Sequence, residues 1–117
     1  MSLNVVTIDV AKTFAKQAKR LAKRYPSFSS DLHLLFSELQ TNPEMGENLG
    51  HNLRKIRMTI QSKGKGKRGG ARIIAHHEII LECSTHSILL LTIYDKSEKE
   101  SLSKQEIASI LKANGII

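Results

Sequence analysis

The stretch Leu53–Ile74, LRKIRMTIQSKGKGKRGGARII, decides how this chain is read. It holds eight Lys or Arg residues in 22 positions, and no Asp or Glu occurs from Asn48 to His77. At its start Ile56, Met58 and Ile60 alternate with Lys55, Arg57 and Thr59, the period-two pattern of a strand with one apolar face. At its end Ala71–Leu81 is rich in Ile and reads as a second strand. Between them lies a loop of alternating Gly and Lys. The expectation is a hairpin with cations on one face of its strands and more in its loop. Like charges at this density repel one another, and a polyanion offsets that cost. The expected partner is RNA or DNA phosphate.

Working outward, Asn4–Ile8 is short and β-branched and reads as a first strand, with Asp9 as N-cap of the following helix. In that helix Val10, Phe14, Ala18, Leu21 and Tyr25 form an apolar stripe. Lys12, Lys16, Lys19, Arg20, Lys23 and Arg24 lie largely opposite, either as a solvated helix face or as a second phosphate-contacting surface. Pro26 ends the helix. A second helix starts among Ser27–Ser30, carries Phe28, Leu32, Leu35, Phe36 and Leu39 at helical spacing, and stops at Asn42-Pro43. Glu44–Asn52 reads as a loop.

Beyond the basic hairpin, Cys83–Thr85 is a turn into His86–Tyr94, a strand apolar on both faces and so an interior one. Ser103-Lys104-Gln105-Glu106 is a capping box, Leu102 and Ile107 form its hydrophobic staple, and Gly115 is a suitable C-cap. The expected order is β-α-α-β-β-β-α. It describes an α+β fold: a mainly antiparallel four-stranded sheet with an N-terminal helical hairpin and a C-terminal helix, in one domain over residues 1–117.

The 117 residues suffice for one core and not for two. With 40% hydrophobic and 25% charged residues the composition is that of a globular protein, and no apolar run reaches the roughly 18 residues of a membrane span. The single cysteine, Cys83, allows no intrachain disulfide, and no signal-peptide pattern is seen. A cytoplasmic protein without a membrane partner is expected. The net charge of +7 again favours an acidic partner.

Cleavage of RNA without a metal needs a base for the 2′-hydroxyl, cations on the phosphoryl oxygens and an acid for the leaving oxygen. Lys55 and Arg57 share a strand face by period two, and Arg72 begins the neighbouring strand, so the three are expected to converge. The plainer reading is a set of solvated cations on a sheet. Lys63, Lys65, Lys67 and Arg68 are expected on a mobile, phosphate-tracking arm, with Arg54 beside it. The loop lacks the G-x-x-x-x-G-K-[ST] pattern, which excludes a Walker-type nucleotide site. His76 and His77 point to opposite faces of a strand and have no companion ligands at metal spacing, so neither metal nor cofactor is expected. His76 shares a face with Arg72 and is either a general acid or base or a space-filling residue. Tyr94 is either a core residue or a platform for a base.

Three blocks, Leu53–Arg57, Gly64–Ile74 and Leu90–Glu98, together resemble the RelE/HigB superfamily of toxins from bacterial type II toxin–antitoxin systems. The resemblance spans nearly the whole chain. It implies a small α+β toxin, an mRNA interferase that cleaves mRNA on the ribosome, and a cognate antitoxin that silences it. It also implies that Lys55 and Arg57 are the basic strand positions, Arg72 the phosphate-binding arginine, and Tyr94 and Lys96 further active-site groups. Ala75-His76-His77 departs from the pattern, since similar toxins commonly carry aromatic residues there. Two other readings accompany this one: a ParE-like toxin that poisons DNA gyrase and cuts no RNA, and an inactive RNA-binding relic.

Overall fold

The computed structural model of the chain describes residues 5–64 and 69–116. Strand β1 is Val5–Val10, followed by helices α1, Lys12–Arg24, and α2, Phe28–Thr41. Then come β2, Glu47–Gly50, β3, Leu53–Met58, β4, Ala71–Ile80, β5, Thr85–Asp95, and helix α3, Lys104–Ala113. The α+β class holds. The sheet, however, has five strands in the order β1-β5-β4-β3-β2 and is mixed, because β1 runs parallel to β5 while the other pairs are antiparallel.

The strand that corrects the expected four is β2, in the segment read as a loop. His51 and Asn52 both take left-handed backbone, φ 53 and 63, and fold β2 back onto β3 in a two-residue turn of the primed kind. All four β2 residues are exposed, so no buried face imposed an alternation that could be read. A second correction is at the start of α1. Strand β1 continues through Val10, and Ala11 caps the helix without a side-chain hydrogen bond, so Asp9 is a strand residue and Val10 leaves the helical stripe.

One sheet face carries α1 and α2. Phe14, Leu21, Phe28, Leu35 and Leu39 pack there with Ile56, Met58, Ile73, Ile88, Leu90 and Ile93. Burial of each such side chain contributes about 1.5–3 kcal/mol, so this face supplies most of the stability. The opposite face is covered in part by α3, through Leu53, Ile74, Leu91, Tyr94 and Leu111, with Leu102, Ile107 and Ile110 packed around them. Helix α3 starts at a complete Ser103–Glu106 capping box. It ends in a Schellman motif, with Ile116 N–H donating to Leu111 O at 2.9 Å, Gly115 N–H donating to Lys112 O at 3.1 Å, and Gly115 at φ +70. Residues 65–68, which include Lys65, Lys67 and Arg68 of the expected arm, lie outside the described residues.

Candidate active site

Side chains directly opposite in a sheet share a face, and the register here makes one row of Arg57, Arg72 and Tyr94 across β3, β4 and β5. With strands about 4.8 Å apart, the row is about 10 Å wide. Period two puts Lys55 on the same face one pair away, opposite Ile74. Lys96 lies just past the row, its Nζ donating to Glu100 O at 3.2 Å. Four of the expected site residues, Lys55, Arg57, Arg72 and Tyr94, therefore gather on the sheet face away from α1 and α2, and Lys96 follows the end of β5.

Their burial is uneven. Arg57 is exposed and Lys55 half-buried, and both border a groove of about 710 Å³ shared with Glu38, Thr41 and Asn42 at the end of α2. Arg72 is 4% exposed and Tyr94 6%. Arg72 Nη1 donates to Ala71 O at 3.2 Å. Burial, then the Arg57 cation beside it, lowers the Arg72 pKa from the ordinary arginine value, while Tyr94 opposes this. An arginine so placed remains a cation at neutral pH. Burial raises the Tyr94 phenol pKa, with Arg72 opposing and Glu106 adding to the rise, so the phenol keeps its proton. The Tyr94 hydroxyl has no hydrogen-bond partner among the described residues.

His76 shares this face but not this site. It sits four residues along β4 from Arg72, about 13 Å at strand rise, with Ile74 between them. Its Nδ1 is 3.7 Å from Glu78, and it borders a separate depression with Asp9, Leu89 and Ile116. Arg54 points to the other sheet face and reaches Gly46 O at 3.4 Å, because it is out of phase with Lys55 and Arg57. His77 is on that other face too, stacked on His86 with ring nitrogens 3.0 Å apart. Burial, then His86 and Arg54, lowers the His77 pKa. Among the described residues no group of three or more His, Cys, Asp or Glu is arranged for a metal.

Lys63 is the main correction to the expected arm. Its side chain is buried and its Nζ donates to Asp95 Oδ1 at 2.6 Å, Ser97 Oγ at 2.8 Å and Gly70 O at 3.3 Å. Asp95, 1% exposed, also accepts from the Tyr25 hydroxyl and from Ser97 N–H at 2.8 Å. Arg24 stands 3.6 Å from its other oxygen. Lys63 thus closes the stem of the basic loop and joins it to α1 and β5. Sequence reasoning missed Asp95 and Tyr25, although an acid ending an apolar strand is a signal of a buried partner. Gln17 was missed as well: its side-chain oxygen accepts from Ile93 N–H at 3.0 Å and Thr92 Oγ1 at 2.7 Å, pairing the β5 edge just past the end of β1.

The same stem leaves no room at Gly70, where a Cβ would stand 1.9 Å from Met58 O. Gly70→Ala is expected to force β3 and β4 apart next to Arg72, at the upper end of the roughly 1–3 kcal/mol typical of overpacking. Urea denaturation measures the loss, and a variant as stable as wild type would show that the stem yields freely. No helix in the described residues is long and apolar enough to cross a membrane. No protein-family model matches the chain.

Proposed function

We propose that this protein is a metal-independent endoribonuclease toxin of the RelE/HigB kind, which cleaves ribosome-bound mRNA in the cytoplasm and is neutralised by a cognate antitoxin. The observation that carries the reading is the Arg57–Arg72–Tyr94 row, with Lys55 alongside. Like charges directly opposite in a sheet destabilise it, and an anion bound between them removes that cost. A phosphodiester is such an anion. Arg57 holds the substrate from the exposed side, and Arg72 meets the charge that develops on the phosphoryl oxygens. The protonated phenol of Tyr94 donates a hydrogen bond to the same phosphate or to the leaving oxygen. Lys55, half-buried on the same face, is the candidate base.

Ribosome-dependent translation followed by mapping of mRNA 5′ ends tests the reading. Cuts within translated codons that disappear when ribosomes are omitted are the expected result. Translation arrest without cuts, or supercoiling inhibition through gyrase, would replace it.

Tyr94→Phe separates chemistry from stability at this site. A buried hydroxyl without a partner costs about 1–3 kcal/mol, so the variant is expected to be as stable as wild type or more so. Its cleavage is expected to fall about 10²-fold or more if the hydroxyl is the acid. Parallel urea and cleavage measurements check this, and unchanged cleavage would remove Tyr94 from the chemistry.

A further inference from the structure

We infer that Lys12, Lys16, Lys19 and Lys23 of α1 form a second docking surface, for the phosphate backbone of structured RNA, on the side of the sheet opposite the cleavage site. The inference rests on the RNA-directed reading above. It starts from where the surplus charge lies. Helix α1 holds six of the 18 Lys and Arg residues and none of the 11 acids, which leaves a net charge of +1 for the rest of the chain. Together with Leu53–Ile74, which holds eight cations and likewise no acid, α1 is one of two segments that carry the chain's positive charge.

Within α1 the cations divide in two. Arg20 and Arg24 are bonded to Glu98, at 3.2 and 2.9 Å. The four lysines are exposed and have no ion-pair partner among the described residues. Their spacings of four, three and four residues keep them within an arc of about 60° and spread them over about 16 Å of helix axis. A solvated helix face ordinarily mixes signs, so that acids and bases meet at i,i+4. Here the i,i+4 neighbours Lys12/Lys16 and Lys19/Lys23 are alike, and the first turn, where an anion favours the helix dipole, holds Lys12 and no acid. Lys12 and the like-charged pairs oppose the helix, an effect that an extended anion along it relieves, whereas Lys23 in the last turn favours the dipole.

The chemistry of the stripe favours phosphate over a protein partner. None of the exposed large apolar side chains lies on α1, whereas protein interfaces gather an apolar centre and are depleted in lysine. Lysines are point charges on flexible stems, suited to following a backbone without reading bases. A shallow apolar depression borders Lys19, formed by Ala18, Ala22, Leu32 and Phe36, and it marks where an acidic protein would sit instead. Because Phe14 and Leu21 seat α1 on the sheet face away from Arg57, Arg72 and Tyr94, the sheet would lie between two RNA segments.

The test is the quadruple variant Lys12→Gln, Lys16→Gln, Lys19→Gln, Lys23→Gln, with far-UV circular dichroism to verify folding. The probes are a 16-base-pair 2′-O-methyl RNA duplex, which offers no 2′-hydroxyl to cleave, and purified ribosomes. The slope of log affinity against log salt on the duplex is expected to fall by roughly 3, from about 0.7–0.9 per contact. On ribosomes the half-saturating concentration is expected to rise at least tenfold, with cleavage at saturation unchanged. A folded variant with the wild-type duplex affinity and slope would overturn the inference. So would a loss confined to binding of a polyglutamate peptide, which would give the surface to an acidic protein. The duplex result stands whether or not wild type cleaves mRNA, so failure of the proposed activity is read separately.

Discussion

Arg72→Ala is expected to slow ribosome-dependent cleavage by about 10²–10³-fold, the loss typical of removing one preorganised donor to a developing oxyanion, about 2.7–4 kcal/mol. The reason is its position. Arg72 is held on the central strand β4 between Arg57 and Tyr94, so its guanidinium needs little reorganisation as charge builds on the phosphate. The loss is expected in the chemical step, because Arg57 remains to bind the substrate. Single-turnover cleavage at saturating ribosomes measures it, with thermal melting to verify the fold. A folded Arg72→Ala protein that cleaves at the wild-type rate and still arrests growth would exclude this role.

Asp95→Ala is expected to destabilise the fold by about 3–5 kcal/mol, the cost of breaking a buried ion pair and leaving one charge behind. The Lys63 ammonium would lose its closest partner while staying enclosed, at a point that also anchors Gly70 and Ser97. The exposed Arg20–Glu98 pair is a contrast, since water and ions screen it and its contribution is at most about 1 kcal/mol. Burial by itself would raise the Asp95 pKa, but the hydrogen bonds from Lys63, Tyr25 and Ser97 outweigh it and lower it to about 2, from 3.8. A carboxylate depressed on folding adds stability above its unfolded pKa and loses it as pH falls through the folded one, here about 2 kcal/mol between pH 4 and 2. Wild type is therefore expected to lose stability across that window, and Asp95→Asn to lack this limb. Urea titrations at a series of acid pH values check both, and parallel curves for the two proteins would mean that Asp95 is not the group responsible.

Much of the fold and of the site was legible in order along the chain. The period-two pattern of Lys55, Ile56, Arg57 and Met58 separated the cationic face of β3 from its core face, because that alternation is local geometry and needs no partner. The stops at Pro26 and Asn42-Pro43 and the capping box at Ser103 were read for the same reason: each acts through its own backbone neighbours. Tertiary structure decided the rest. Strand β2 has no buried face and exists because left-handed His51 and Asn52 return it to β3. The burial of Tyr94 against α3 depends on how far that helix reaches across the sheet, which no spacing within a strand encodes. Lys63 looked like its loop neighbours in the sequence, and only the meeting of α1, the loop stem and the end of β5 made it a buried partner of Asp95. Local periodicity determined which residues face together; the long-range contacts, whose partners lie 32 and 70 residues apart in these two bonds to Asp95, determined which charges water can reach.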